Sequence, residues 1–93
     1  MIEKQLAKNP GFKKICKAFA GLKNEKSVAA FLRDICTLKE LEDMSDRIET
    51  ASLLKKGLTY RTIAKKTGVS TTTITRIAHW MHHGMGGYDL ALD

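Results

Sequence analysis

The sequence TYRTIAKKTGVSTTTITRIAH, at residues 59–79, contains the start and stop signals of two short helices. Thr59 and Ser70 are residue types that cap helix N-termini, which predicts one helix over about residues 60–66 and a second from about residue 71. Thr67 and Gly68 separate the two, since glycine readily adopts the positive φ that a tight turn requires. The segment therefore predicts two helices joined by a turn.

The apolar residues of this segment indicate how the two helices pack. Ala64 is small, as a residue at the closest approach of the second helix must be. Ile63, Val69, Ile74 and Ile77 then fill the wedge between two helices that meet at about 90–120°. This spacing is typical of a helix-turn-helix, and the alternative is a generic helical hairpin.

A second helix that enters the major groove of DNA presents its exposed N-terminal face to the bases. Threonine suits that face because its hydroxyl bonds base edges or phosphates and its methyl contacts thymine. The first helix would contact the phosphate backbone. The DNA-binding residues that we predict are Tyr60, Arg61, Lys65, Lys66, Ser70, Thr71, Thr72, Thr73, Thr75 and Arg76. Alternatively, the threonine run supplies cap chemistry around Ser70; both roles are compatible, since a cap needs one hydroxyl.

The charge of the chain is unevenly distributed. The 93 residues carry 16 Lys and Arg against 10 Asp and Glu, a formal net charge of +6. Residues 1–49 hold ten basic and eight acidic side chains, whereas residues 50–88 hold six cations and no acid. Asp89 and Asp93 follow at the end. The acid-free stretch predicts a polyanionic partner, and the alternative is a solvated basic face.

Two apolar stripes at helical spacing lie in the first 36 residues. Pro10 fits the first turn of a helix capped by Asn9. The stripe of that helix comprises Phe12, Ile15, Cys16, Phe19 and Leu22. After Asn24 or Ser27 as a start signal, the next stripe comprises Val28, Phe31, Leu32 and Ile35. Both patterns predict amphipathic helices.

The third apolar stripe belongs to a predicted long helix. Residues Thr37 to Glu40 form a T-x-x-E capping box, in which each end residue satisfies an orphan amide of the first helical turn. Gly57 occupies the position where a left-handed residue ends a helix, so the helix extends to about Lys56. Its predicted inward residues are Leu38, Leu41, Met44, Ile48, Ala51 and Leu54.

These stripes are broad for so short a chain, whose own core would be marginal. We therefore expect two copies to pack together through residues 1–56. The predicted fold class is all-α: a homodimeric helical bundle with a helix-turn-helix DNA-reading head, for which a family resemblance described below implies an intertwined arrangement. The predicted organisation is a single domain over residues 1–93, with a dimerisation core at 1–56, the head at 57–83 and a C-terminal tail at 84–93.

Several classes of protein are excluded by the sequence. The chain is too short for a two-lobed or doubly wound enzyme, and no nucleophile, base and orienting group cluster in it, so we expect no enzyme. No apolar run reaches the ~18–20 residues that span a bilayer, and the N-terminus lacks the apolar centre of a secretory signal. With only Cys16 and Cys36, both on apolar stripes and expected to be buried, the predicted location is the cytoplasm.

The end of the chain contains a histidine cluster and a glycine run. His79, His82 and His83 lie at i, i+3 and i+4, so one helix face could present two of them to a metal. No carboxylate or cysteine lies close in sequence to complete the set, and we predict no metal site. The run Gly84-Met85-Gly86-Gly87 predicts a helix stop and a hinge. The residues expected to dock after it are Tyr88, Leu90 and Leu92.

From Thr37 to Arg76 the sequence resembles the Trp repressor family. The shared features are the T-x-x-E opening of the long helix, Arg47 within it, LLKKG at 53–57 and the helix-turn-helix with I-T-R at 74–76. The tail from His79 through Tyr88 is similar to the YerC/YecD branch of that family. The resemblance implies an all-helical homodimer with interlocking N-terminal helices and one DNA-reading head per subunit.

The resemblance also implies a place for an effector, because Trp repressors bind tryptophan between the long helix and the reading head. By resemblance, Arg47 lies on the carboxylate side, Arg76 stacks on the indole, and Thr37 and Thr73 lie near the ligand. The family has glycine directly after the stacking arginine, where this chain has Ile77. An isoleucine side chain would fill the space of the ring. We therefore expect no cofactor, and L-tryptophan, possible by resemblance, is disfavoured as the effector.

Both arginines also have roles that need no effector. Arg47 could form an ion pair with Asp43, one helical turn back, or with Glu40, two turns back. Arg76 could contact a phosphate or a base, and we favour DNA as its partner.

Together these features predict a sequence-specific regulator of transcription that binds double-stranded DNA. It would act as a homodimer on a palindromic operator, most simply as a repressor. The alternative is a protein-interaction or dimerisation module of the same fold, without specific DNA binding or with an unknown small-molecule effector.

Overall fold

The computed structural model describes residues 2–93, and this part of the chain is built from α-helices and connecting turns, without a strand. It divides into two compact units. The first unit comprises residues 2–37 and the second unit comprises residues 38–93. The predicted all-α class is confirmed.

The first unit contains three helices: α1 (Glu3–Lys8), α2 (Pro10–Gly21) and α3 (Glu25–Ile35). The predicted caps are both present, since Asn9 Oδ1 accepts a hydrogen bond from Phe12 N–H at 3.0 Å and Asn24 Oδ1 accepts one from Ser27 N–H at 2.8 Å. Asn24, rather than Ser27, is thus the start signal of α3. Helix α1 was not predicted, because it is short and has no apolar stripe.

No residue among 2–37 is buried. The rings of Phe19 and Phe31 meet edge to face with centroids 5.2 Å apart, yet Phe19 remains 37% exposed. The expectation that both cysteines are buried is wrong, because Cys16 is exposed and Cys36 is half-buried. A position on an apolar stripe leads to burial only where another element covers that stripe.

The second unit begins with the predicted long helix, α4 (Leu38–Lys55). Gly57, with φ +85°, lies just beyond its end, as predicted. Gly57 N–H donates to Leu54 O at 3.0 Å and Leu58 N–H donates to Leu53 O at 3.2 Å, so the last carbonyls of the helix are satisfied.

The inward face of α4 differs from the predicted one. Thr50 and Leu53 are buried, whereas Met44 and Ile48 are 42% and 39% exposed and Leu38 is 66% exposed. Helices later in the unit pack against the face that carries Leu53, and Met44 and Ile48 lie roughly half a turn away around the helix axis. Leu38, Met44 and Ile48 are thus not covered within one copy of the chain, whereas Ala51 is buried as expected.

Two helices, α5 (Tyr60–Thr67) and α6 (Thr71–His83), follow α4 and pack against it and against each other. Their bounds match the predicted helix-turn-helix to within a residue at the end of α5. The central core of the second unit comprises Leu53, Ile63, Val69 and Ile74, with Leu54, Leu58 and Ala64 packed against it.

The C-terminal tail forms a short helix, α7 (Gly87–Ala91), that was not predicted. Gly84 ends α6 and Gly86 adopts φ +76°, which agrees with the predicted stop. Tyr88 and Leu92 are half-buried, but Leu90 is 89% exposed, so the expected docking of Leu90 is wrong. On so short a helix, residues two apart face different directions.

Within residues 2–93, no helix is both long and apolar enough to cross a membrane.

Candidate nucleic-acid interface

The turn between α5 and α6 is held by hydrogen bonds that the local sequence supplies. Gly68 has φ +76°, and its N–H donates to Ala64 O at 2.9 Å. Thr67 Oγ1 donates to Ile63 O at 2.8 Å and accepts from Val69 N–H at 3.1 Å. These contacts fix the change of chain direction within three residues, so the angle between the two helices is set locally.

The N-termini of both helices carry the predicted caps. Thr62 N–H donates to Thr59 Oγ1 at 3.2 Å at the start of α5. At the start of α6, Thr73 N–H donates to Ser70 Oγ at 3.1 Å. Each cap removes one orphan donor and stabilises its helix by about 1 kcal/mol.

The wedge between the two helices is filled as predicted. Ile63 and Ile74 are fully buried, Ile77 is 5% exposed and Val69 is 8% exposed. Since Ile74 and Ile77 turn one face of α6 inward, the residues on the opposite face must point to solvent. That opposite face carries Thr71, Thr72, Thr75 and Arg76, all exposed, and we call these four residues the reading face.

The predicted phosphate contacts lie on α5. Arg61, Lys65 and Lys66 are exposed, and Tyr60 is 40% exposed at the start of the helix. Because Arg61 and Lys65 are four residues apart, they share one side of α5. Ser70 and Thr73 are exposed as well, so all ten residues of the predicted DNA-binding set are accessible.

The hydroxyl groups around the start of α6 differ in their hydrogen bonds. Ser70 Oγ accepts a hydrogen bond from Thr73 N–H and donates one to Thr73 Oγ1 at 3.0 Å. The hydroxyl proton of Ser70 is therefore engaged at the start of α6. Thr75 Oγ1 donates to Thr71 O, one turn back, at 2.9 Å. Within residues 2–93, the hydroxyls of Thr71 and Thr72 form no hydrogen bond. The sequence does not distinguish these threonines, since their rotamers decide which hydroxyls are engaged.

Two ion pairs modify the charge of the second unit. Lys55 Nζ lies 3.4 Å from Asp89 Oδ1, which joins α7 to the end of α4. Lys39 Nζ lies 2.9 Å from Asp43 Oδ1 on α4. The hydrogen bond to Asp43 and the charges of Asp43 and Glu42 raise the pKa of Lys39. Asp43 therefore forms its ion pair with Lys39. The ion pair between Arg47 and Asp43, one of the two considered from the sequence, is not the one that the structure has.

A cleft of about 260 Å³ lies between α4 and the helix-turn-helix. Of the four residues of the predicted effector pocket, it brings together Arg47 and Thr73, but Arg76 does not line it. The fourth residue, Thr37, belongs to the first unit. Ile77 forms part of the wall of the cleft. The remaining lining residues are Asp43, Asp46, Gly68, Val69 and Ser70.

The acidic residues of this cleft were missed as candidates, although their spacing could have revealed them. Asp43, Asp46 and Arg47 lie at i, i+3 and i+4 of α4, and hence on one face of the helix.

Thr50 follows on the same face of α4, one turn after Asp46. Its side chain is fully buried, and its hydroxyl has no hydrogen-bond partner within residues 2–93. An unsatisfied buried hydroxyl is destabilising by about 1–3 kcal/mol.

The histidines at the end of α6 are close to one another but form no metal site with other residues. The rings of His79 and His83 have centroids 4.7 Å apart. No group of three or more potential ligands is positioned to hold a metal ion within the described part of the chain.

The geometry of a helix-turn-helix with an acid-free exposed face agrees with a comparison to known families. The family model described as Trp repressor protein matches residues 11–93. The chain belongs to the Trp repressor family. The curated YerC protein of Bacillus subtilis (strain 168), itself uncharacterised, is 38% identical over 72 residues, which cover 77% of this chain and 69% of YerC. This similarity places the chain in the YerC branch.

Two crystal structures of Trp repressor-like proteins resemble the fold. A TrpR-like protein of Eubacterium eligens ATCC 27750 is 36% identical, with a TM-score of 0.84 and coverage of 90% of this chain and 87% of that one. A Staphylococcus aureus protein provisionally assigned as a Trp repressor is 27% identical, with a TM-score of 0.85 and coverage of 98% and 91%. The Trp repressor-like fold is thus confirmed for the chain.

Membership of the family assigns a general class of function. The Trp repressor family is a regulatory, DNA-binding family. A DNA-binding regulator is accordingly the class to which this protein belongs.

Proposed function

We propose that this Trp repressor-family protein is a sequence-specific repressor of transcription that binds a palindromic DNA operator as a homodimer. The observation that carries the proposal is the helix-turn-helix itself. Buried Ile74 and Ile77 anchor α6, and its reading face is left exposed within an acid-free stretch of 39 residues. Cations on α5 and hydroxyls on α6 are the groups that contact phosphates and base edges.

The homodimer is supported by apolar residues that a single copy leaves exposed. Phe12, Ile15 and Phe19 on α2 are each 36–37% exposed, and on α4 Met44 and Ile48 are about 40% exposed. An amphipathic helix whose apolar stripe is uncovered is stabilised when a second copy covers it. Two heads held about 34 Å apart would reach successive major grooves on one side of the duplex.

The proposed mechanism of repression is steric. A dimer that occupies two half-sites across a promoter excludes polymerase from the same DNA. The protein would act in the cytoplasm of a bacterial cell, where the chromosome lies. We propose no catalytic role, because the exposed groups of the head are suited to binding and hold no paired nucleophile and base.

The test of the proposed function is selection of operators from a random DNA library, followed by binding titrations at several salt concentrations. We expect a palindrome to be enriched and the logarithm of affinity to fall linearly with the logarithm of salt concentration. Enrichment of no shared sequence would overturn specific binding and favour the alternative, a protein-interaction module of the same fold.

We also propose that free L-tryptophan does not regulate this protein. Ile77 is 5% exposed and forms part of the wall of the cleft, so its side chain takes up space that the indole ring would need. Isothermal calorimetry of the full chain with tryptophan should give no heat of binding. A micromolar dissociation constant would contradict the proposal, and Ile77→Gly is the variant in which added affinity is expected.

A different small-molecule effector is a second candidate for the same cleft. The juxtaposition of Asp43, Asp46 and Arg47 at its edge offers partners for both signs of charge. A thermal-shift screen of amino acids and other zwitterions would test it, with Arg47→Ala as the variant that should lose any response. A shift that Arg47→Ala retains would place the ligand elsewhere.

A further inference from the structure

We propose that Thr75 reads the operator through its γ-methyl group, against the C5-methyl of a thymine, and not through its hydroxyl. The inference rests on the DNA-binding function proposed above, and it names the base that one residue of the reading face contacts. It starts from the hydrogen bond that Thr75 Oγ1 donates to Thr71 O at 2.9 Å.

A threonine hydroxyl has one proton to donate. In Thr75 that proton is used inside α6, so the side chain can offer DNA a methyl group and an oxygen that only accepts. Thr72, three residues earlier on the same face, keeps a hydroxyl that both donates and accepts. The two threonines are therefore chemically different readers although they are the same residue type.

The major-groove edges of the bases discriminate between such readers. Guanine presents two acceptors, to which a side chain without an available proton cannot donate. Thymine presents an acceptor and a methyl group, and the methyl is the base feature that an apolar group contacts favourably. A side chain with a methyl and no donor thus favours thymine over guanine.

The position of Thr75 supports contact with a base. It lies one turn after Thr71 and three residues after Thr72, so the three share the exposed face at the N-terminal half of α6. Residues in this half of a recognition helix are the ones that reach base edges. The wedge core beneath, with Ile74 fully buried, keeps the face in place.

The experiment combines two protein variants with one chemical change in the DNA. Thr75→Val keeps the methyl and removes the hydroxyl, whereas Thr75→Ser keeps the hydroxyl and removes the methyl. On the DNA side, deoxyuridine replaces each thymine of the selected operator in turn and removes only the C5-methyl. Affinities are measured by fluorescence anisotropy with the full-length protein, and circular dichroism confirms that each variant is folded.

We expect Thr75→Val to bind the operator with affinity within about twofold of the wild type, and Thr75→Ser to lose about fourfold for each methyl contact. One deoxyuridine position per half-site should weaken wild-type binding by a similar factor. That penalty should disappear in Thr75→Ser, since the two changes remove the two sides of one contact.

The inference alone would be overturned if Thr75→Val lost as much affinity as Thr75→Ser, or if a deoxyuridine penalty persisted unchanged in Thr75→Ser. An operator insensitive to deoxyuridine at every position would do the same. Failure to select any operator with the wild type is a different outcome, because it would overturn the proposed function as well. If Thr75→Val does not fold, the deoxyuridine scan with wild type and Thr75→Ser still decides.

Discussion

The two units of this chain contain similar amphipathic helices but differ in what those helices bury. No residue among 2–37 is buried, although α2 carries two phenylalanines and an isoleucine on one stripe. In residues 38–93, six apolar side chains are buried, and four of them lie between Ile63 and Ile77. The second unit has its own core, whereas the first has apolar faces that its own residues leave uncovered.

The difference shows that the pattern of a stripe and its burial are separate facts. A 3,4 spacing of apolar residues predicts an amphipathic helix with one apolar face, and this prediction is correct for the helices α2, α3 and α4. Whether that face is covered within the chain depends on which other element reaches it. In this protein the apolar residues of the helix-turn-helix are buried by helices of the same chain. The apolar faces of the first unit are not buried by that chain.

The strongest test of the comparison is a core truncation in the second unit. Ile74→Ala should lower the free energy of unfolding by about 2–5 kcal/mol, because Ile74 is fully buried and its removal leaves a cavity. The same truncation at Ile2 in the first unit, which is 63% exposed, should change it by less than about 0.5 kcal/mol. Urea denaturation followed by circular dichroism measures both changes. Equal effects of the two truncations would contradict the conclusion that only the second unit has its own core.

The second test concerns the uncovered face of the first unit. Ile15→Glu would place a carboxylate on the α2 stripe, where a second copy is proposed to pack, and should weaken dimerisation by about 100-fold or more. The matched control is Lys14→Glu, which adds the same side chain to the other side of the same helix. Sedimentation equilibrium reports both, and an unchanged dimer in Ile15→Glu would show that α2 is not the interface.

A third test compares glycines in the two units. Gly68→Ala should destabilise the protein by about 1–2 kcal/mol, because an L-residue at φ +76° is strained although no atom lies within 4 Å of the added Cβ. Gly21→Ala, at the end of α2, also meets open space and has no positive φ, so it should be neutral or slightly stabilising. Thermal unfolding of both variants would show whether the turn is the strained point; equal midpoints would refute this.

The smallest expected effect concerns charge. Lys65→Ala should weaken binding to all DNA sequences by about threefold at moderate salt and reduce the salt slope by about one, since one phosphate contact is lost. Lys14→Ala, in the first unit, serves as the matched control and should leave the slope unchanged. A loss of affinity confined to the selected operator would assign Lys65 to a base instead.

The sequence was sufficient for the reading head because its signals are local. Thr59, Gly68 and Ser70 each act through a backbone conformation or a cap within three residues, and all three are confirmed. The isoleucines of the wedge follow from the spacing between those signals. Such contacts span few residues, so pattern and structure agree to within one residue.

The remaining features depend on packing that spacing alone does not determine. Met44 and Ile48 were expected inside, yet α5 and α6 pack against another side of α4, where Thr50 and Leu53 are buried. Asp43 and Asp46, which line the cleft, were missed although their spacing with Arg47 on one face of α4 could have revealed them. The ten DNA-binding residues stay a prediction, and their exposure is compatible with it.

The alternation of buried and exposed residues along α6 has a consequence for how this protein can evolve. Ile74 and Ile77 are fixed by packing, whereas Thr71, Thr72, Thr75 and Arg76 contribute little to folding because they are exposed. Substitutions at such surface positions change stability by less than about 0.5 kcal/mol. If these four residues read the operator as proposed, substitutions at them would change the target site one residue at a time, without a compensating change elsewhere in the chain.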